Sequence, residues 1–161
     1  MNLDQQNNAG SKIELDNLQG SEIAAFLEEH IQDMRAFSPP ESKHALDLAG
    51  LRKPEITFWT LRQHGVIAGC CALKQLDAEH GEIKSMRTSG MFRRQGIGAR
   101  LLTHVISEAQ ERGYRRLSLE TGAMPFFEPA RSLYRKFGFQ ECAPFAAYKP
   151  DPNSVFMTRL V

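Results

Sequence analysis

Apolar residues recur along this chain at helical spacing in some stretches and gather into β-rich runs in others, and the switches between the two mark out its elements. After a polar, frayed start through residue 11, the stretch 12–15 (KIEL) reads as a first strand. Ser21 stands where a helix is capped, and Ile23, Phe26, Leu27, Ile31 and Met34 follow at helical spacing, giving one apolar face. Pro39 and Pro40 stop that helix and set the start of a short second one ending near Gly50. Then the helical spacing gives way. Residues 55–62 (EITFWTLR) and 66–74 (VIAGCCALK) are β-rich runs joined through Gln63-His64-Gly65, a hairpin pattern, and 82–89 (EIKSMRTS) is a third long strand. From Ile97 the helical period returns with Leu101, Leu102, Val105, Ile106 and Ala109, and Gly113 ends it. A strand over 115–122, a helix within the stretch 129–139 with Pro129 near its start and Gly138 just past its end, and a closing strand over 154–161 complete the pattern. The order is strand, two helices, three strands, helix, strand, helix, then one or more strands. A mixed α/β fold in a single domain over 1–161 is expected, with no repeats and no linker.

Length and charge narrow the functions available to such a fold. At 161 residues, the chain is long enough to bury roughly 70% of the surface its unfolded form exposes. A net charge of +1 gives no global field that would attract nucleic acid or a membrane surface. No apolar run approaches the ~20 residues of a membrane span, and residues 1–12 lack the basic-then-apolar pattern of a signal peptide. A cytoplasmic protein is expected. Cys70 and Cys71 are adjacent and would point to opposite faces of a strand, while Cys142 stands alone, so buried structural thiols are expected rather than a disulfide framework. No histidine spacing suits a metal, and none is expected.

Locally, charge changes the picture. Between residues 82 and 108 lie Lys84, Arg87, Arg93, Arg94 and Arg100, with no Asp or Glu. Within that stretch Arg93, Arg94, Gln95, Gly96, Ile97, Gly98 and Ala99 run directly into the first turn of the long helix. The first N–H groups of a helix have no internal partner and carry the positive end of its dipole, so such a turn binds anions, and glycines leave its backbone approachable. A dinucleotide fold would want Gly-x-Gly-x-x-Gly after the first strand, whereas position 101 is Leu and three strands precede. The Gly-Lys-Ser/Thr of a P-loop is absent.

The remaining pattern, Arg93-x-x-Gly96-x-Gly98 between a strand and a helix, resembles the pyrophosphate-binding signature of the GNAT superfamily of N-acetyltransferases. The element order is also that of the superfamily, and residues 132–139 (SLYRKFGF) resemble the Leu-Tyr and Gly-Phe segment that follows its fifth strand. Residues 82–89 sit where its fourth strand belongs. The resemblance covers nearly the whole chain and extends to a subgroup of small bacterial single-domain members. It implies a mixed central sheet flanked by helices, with the fourth and fifth strands splayed around acetyl-CoA as co-substrate.

The resemblance also implies roles. Backbone groups around Met86 and Thr88 would hold the pantetheine arm, an N–H at Met86 or Arg87 would polarise the thioester carbonyl, and the amides from Arg94 to Ala99 would carry the pyrophosphate. Tyr134 matches the general-acid tyrosine that protonates the departing thiolate. Glu82, placed at the start of the fourth strand, is either the base that deprotonates the acceptor or a strand-end carboxylate, exposed or paired with Lys84. Glu120 is a second base candidate or a structural residue of the turn after its strand. Members often place Asn three residues before the Ala of the tyrosine-bearing helix; counting back from Ala130 gives Phe127 here, which receives no polar role.

Acceptor recognition in the superfamily comes from the first two helices and the loop before the last strand. Glu41, Ser42 and His44 form a polar cluster there, with His44 able to bind substrate or assist deprotonation, or simply be solvated beside a capping Ser42. Arg87 is a clamp for a substrate carboxylate or a surface strand arginine, and Tyr148 covers the pocket or packs the last loop. The function expected is acetyl transfer from acetyl-CoA to a small amine, amino-acid-like. A non-catalytic acyl-CoA sensor and a protein-lysine acetyltransferase are the alternatives. No nucleic-acid partner is expected, and a homodimer through the sheet edge or the C-terminal strand is left open.

Overall fold

In the computed structural model, residues 10–37 and 48–161 are described. Strand β1 (Ser11–Leu15) is followed by helices α1 (Ser21–Phe37) and α2 (Leu48–Leu51), then by β2 (Ile56–Gln63), β3 (Val66–Gln75) and β4 (His80–Thr88). Helix α3 (Ile97–Glu111), β5 (Arg116–Gly122), α4 (Glu128–Lys136), β6 (Gln140–Cys142) and β7 (Ser154–Leu160) complete the chain. The strands form one seven-stranded sheet in the order β1-β2-β3-β4-β5-β7-β6. Only β4 and β5 pair in parallel, which makes the sheet mixed, as the fold class requires.

The β2–β3 hairpin closes through His64 and Gly65, at φ 49° and 80°, the two left-handed residues that give a tight turn the twist of its strands. Side chains alternate across β2 and β3, so consecutive residues feed two different cores. On one face Trp59, Leu61, Cys71 and Leu73 pack with Leu101, Leu102 and Val105 of α3. On the other, Phe58, Ile67, Cys70 and Ala72 pack with Ile23, Phe26 and Leu27 of α1 and with Leu51. Leu101 and Leu102 are fully buried, and each such side chain stabilises the fold by about 1.5–3 kcal/mol relative to an exposed one. The two adjacent cysteines therefore do point into opposite layers, as free buried thiols.

Two features of β4 create the site. Lys84 pairs with Ala72 and Arg87 with Cys70, so Ser85 and Met86 both stand opposite Cys71, and Ser85 takes a left-handed φ of 53°. This β-bulge bends the strand. Pairing of β4 with β5 covers only His80 to Ile83, whereas β4 runs on to Thr88 and β5 to Gly122. Beyond Ile83, β5 keeps its full antiparallel register with β7, so the sheet opens between β4 and β5. The bulge was not legible as a pattern, nor were the 3-10 turns at Gly90–Phe92 and Pro125–Phe127.

Candidate active site

The opening between β4 and β5 is a narrow cavity of about 110 Å³. Its walls are His30 and Met34 of α1, Glu82, Lys84 and Met86 of β4, Glu120 and Thr121 of β5, Phe127, Ala130 and Tyr134, and Tyr148 from the β6–β7 loop. Glu82 and Tyr134 thus face one space, although they lie on different elements. Glu41, Ser42 and His44 lie outside the described residues.

At the far end of β4 the chain prepares the start of α3. Ser89 Oγ accepts from the amide of Met91, and Arg94 and Gly96 both adopt left-handed φ, 63° and 75°. Gly96 is the N-cap and offers no side-chain cap to the helix, and nothing lies within 4 Å of where its Cβ would be. Space is therefore open where a side chain at Gly96 would stand, at the start of a helix whose first amides have no internal partner. Gly98 has a different reason: a Cβ there would come within 2.9 Å of Leu133 Cδ2, so its absence lets α4 seat on α3. Ile97 is a core residue whose side chain packs inward, while Arg93, Arg94 and Gln95 are exposed. The Thr88 hydroxyl lies 3.7 Å from the same Gly98 Cβ position, beside that first turn.

The five basic residues of this region do not share one pocket. Arg100 reaches Ser11 Oγ at 2.6 Å and Lys84 is paired with Glu82 at 3.0 Å. Arg87 turns to α1, where Nη1 lies 2.8 Å from Asp33 and Nη2 3.5 Å from Glu29, with the Phe26 ring 5.6 Å from its guanidinium carbon. Its side chain is only 11% exposed, so the surface-arginine reading of Arg87 is corrected: bulged β4 directs it into the helix interface. Among the described residues, Arg93 and Arg94 have no ion-pair partner, and they are the charges left at the turn that leads into α3.

Of the sequence readings of Glu82, the pairing with Lys84 is seen and the exposed strand end is not. Glu82 is the third residue of β4, not the first, because pairing with β5 begins at His80, and it is 2% exposed rather than a solvated strand end. Its Oε2 accepts from Tyr148 Oη at 2.6 Å and from Lys84 Nζ at 3.0 Å, and Lys84 Nζ also donates to Tyr148 Oη at 3.0 Å. Burial, followed by the Glu82 charge and the hydrogen bond to it, pushes the Tyr148 phenol upward. Tyr134 is 6% exposed and meets Phe139 edge on. Burial raises its phenol well above the usual range, with Cys71 and Glu120 adding to the effect, so it stays protonated.

His30 escaped the sequence reading, although it lies three and four residues from Leu27 and Phe26 on the apolar stripe of α1. Burial first, and Arg87 second, lower its pKa to about 4, which keeps the imidazole neutral. Phe127 is buried, with its ring against Gly122 where a Cβ would collide, so its role is packing.

A mixed sheet opened between two parallel strands, with an uncapped glycine-led helix start at one end and a protonated buried tyrosine within, is the architecture of an acyl-CoA N-acyltransferase. The solved structure of an acyl-CoA N-acyltransferase from Klebsiella pneumoniae has the same fold, with a TM-score of 0.73 and 26% identity over 95% of this chain and 99% of that one. Residues 23–139 match the acetyltransferase (GNAT) family. The chain is 57% identical to an uncharacterized N-acetyltransferase of Bacillus subtilis, YsnE, over 91% of this chain and 97% of that protein. It is 45% identical to another of Escherichia coli, YedL, over 91% and 92%. The chain belongs to the GNAT family and is an acetyl-CoA-dependent N-acetyltransferase.

Proposed function

We propose that the enzyme acetylates the amine of a small, amino-acid-like acceptor by direct attack on acetyl-CoA, with Glu82 accepting the amine proton and Tyr134 donating one to the departing thiolate. The observation that carries this reading is that Glu82 and Tyr134 line one cavity in the β4–β5 opening. In it, the pyrophosphate rests on the amides from Arg94 to Ala99, including those of Gln95, Gly96, Ile97 and Gly98, with Arg93 and Arg94 adding charge. The pantetheine arm pairs with backbone of β4 around Met86, Arg87 and Thr88, which β5 leaves without a parallel partner.

The acceptor must lose a proton before its lone pair can attack, since a free alkylammonium has a pKa near ~10.4. Both hydrogen bonds to Glu82 fall on Oε2, so Oε1 is the atom that takes the proton, directly or through a water. The amine nitrogen bonds to the acetyl carbon, and a β4 amide at Met86 or Arg87 stabilises the oxygen as negative charge develops on it. The carbon–sulfur bond then breaks and the sulfur takes a proton from Tyr134, which recovers one from solvent, while the nitrogen gives up its second proton to Glu82, the first having passed on to solvent. The products are the amide and free CoA.

Thermal shift with acetyl-CoA, CoA and NADPH on wild type and Gly96→Glu tests the cofactor half. At 100 times the dissociation constant a ligand stabilises by about 2.7 kcal/mol. Acetyl-CoA and CoA should raise the melting temperature of the wild type only, and NADPH of neither. Absence of a shift with acetyl-CoA in the wild type would sink the reading. Release of free CoA across an amine panel tests the acceptor half.

A further inference from the structure

A second cavity, of about 520 Å³, shares Glu82, Lys84 and Tyr148 with the first and is otherwise walled by Lys74 and by residues 146–151 of the β6–β7 loop. Its size suits a small molecule. Lys74 is the register partner of Glu82 across β3 and β4, so Lys74, Glu82 and Lys84 project from one face of the sheet. Lys149 enters from the loop, beside Ala146 and Ala147, whose short side chains leave the space open.

The charges in this wall do not cancel. The Glu82 carboxylate is already held by Lys84 and Tyr148. Asp151 also lines the cavity, its Oδ1 accepting from the amide of Asn153 at 2.9 Å, so the wall holds the ammonium groups of Lys74, Lys84 and Lys149 against the carboxylates of Glu82 and Asp151. Lys74 and Lys149 make no ion pair or hydrogen bond with any described residue, and both border the cavity. Two unpaired ammonium groups lining the cavity that holds the buried Glu82–Lys84 ion pair suit an anion.

Resting on the acetyltransferase reading above, we propose that this cavity is the acceptor subsite and that Lys74 and Lys149 bind the carboxylate of an amino carboxylate, leaving its amine at Glu82 and Tyr148. The anion site would sort acceptors by the group next to the amine. A decarboxylated amine or a carboxamide fits the same space but leaves the two ammonium groups without a counter-charge.

The test compares acetylation of the standard L-α-amino acids with that of their α-carboxamides, by CoA release, in wild type, Lys74→Gln, Lys149→Gln and the double variant. The carboxamide is the more easily deprotonated member of each pair, so a preference for the acid reports the anion site. The wild type should favour the acid in kcat/KM, and each substitution should shrink that preference by ~10- to 100-fold, mainly through KM. Heats of binding of the same acids to CoA-saturated enzyme should show the same loss without turnover. Equal turnover of acid and carboxamide, or an acid preference unchanged in the double variant, would overturn the subsite while leaving the acetyltransferase reading intact. Failure of any acid to bind CoA-saturated enzyme would also overturn it. Loss of acetyl-CoA stabilisation in the wild type would instead sink the reading on which it rests.

Discussion

Tyr148 Oη donates to Glu82 Oε2 at 2.6 Å, across 66 positions of sequence. The bond ties the β6–β7 loop to β4, and Lys84 closes a triangle by donating to both. If Glu82 is the base, Tyr148 acts on the reaction by holding that carboxylate. Glu82→Gln should then lower kcat by about 10²–10⁴-fold, the usual contribution of a positioned base. Tyr148→Phe should cost less, and the double variant should be no slower than Glu82→Gln alone, because groups acting as a unit are not additive. Steady-state kinetics on the four proteins checks this, and additive losses would show that the two residues act separately.

Tyr134 is buried against Phe139 with its phenol raised above the ordinary value near 10. Tyr134→Phe keeps the ring that packs and removes only the proton. The expected outcome is a fall in kcat of about 10²–10³-fold with acetyl-CoA binding unchanged by calorimetry. Because burial holds the proton on, the wild-type rate should show no loss assignable to this phenol below pH 10. A variant that turns over at the wild-type rate would remove Tyr134 from the proton path.

Most of the architecture was legible because α3 repeats a helical period long enough to define a face, while β2 and β3 are β-rich runs, buried on both faces, between clear turn signals. The glycine-led turn into α3 was legible as a turn for a related reason: glycines and arginines ahead of an apolar helix are a local pattern. What joins distant residues was not. Nothing around Glu82 announces Tyr148, and nothing around Arg87 announces Asp33, since a side-chain pair across elements leaves no periodic trace. The bulge at Ser85 and Met86 is invisible for the opposite reason, being one extra residue inside an otherwise regular strand. It decides where Arg87 points. His30 shows a subtler limit, because a single polar residue on an apolar stripe reads equally as a flaw in the stripe or as a wall of the site.

The three thiols should separate cleanly. Cys70 and Cys71 are fully buried in opposite layers, Cys70 Sγ donates to the Ser85 carbonyl at 3.2 Å, and burial pushes Cys71 up to about 12. Thiolate is the reactive form, so a disulfide reagent should titrate Cys142 alone in the native protein and all three thiols after denaturation. Rapid reaction of a second thiol without loss of structure would show that one of the two layers opens.

His30 gives the fold an acid limb. Facing it are Arg87, with Nη1 at 3.4 Å from Nδ1, and Asp33 on its own helix, while Glu29 shares the same arginine. Burial and Arg87 lower its pKa from 6.5 to about 4, with Asp33 acting weakly in the other direction. Between those values the unfolded chain binds a proton that the folded one does not. The contribution is therefore fully present above pH 6.5 and is lost progressively as pH falls toward 4. It amounts to no more than about 3 kcal/mol. Urea unfolding from pH 7 to pH 4 should show this decline, and His30→Gln, which carries no titrating ring, should flatten that part of the profile. Because α1 forms one wall of the cleft through His30 and Met34, the same proton should loosen that wall, raising the acceptor KM in the wild type before global unfolding begins. An acid profile identical in His30→Gln would assign the loss to other groups.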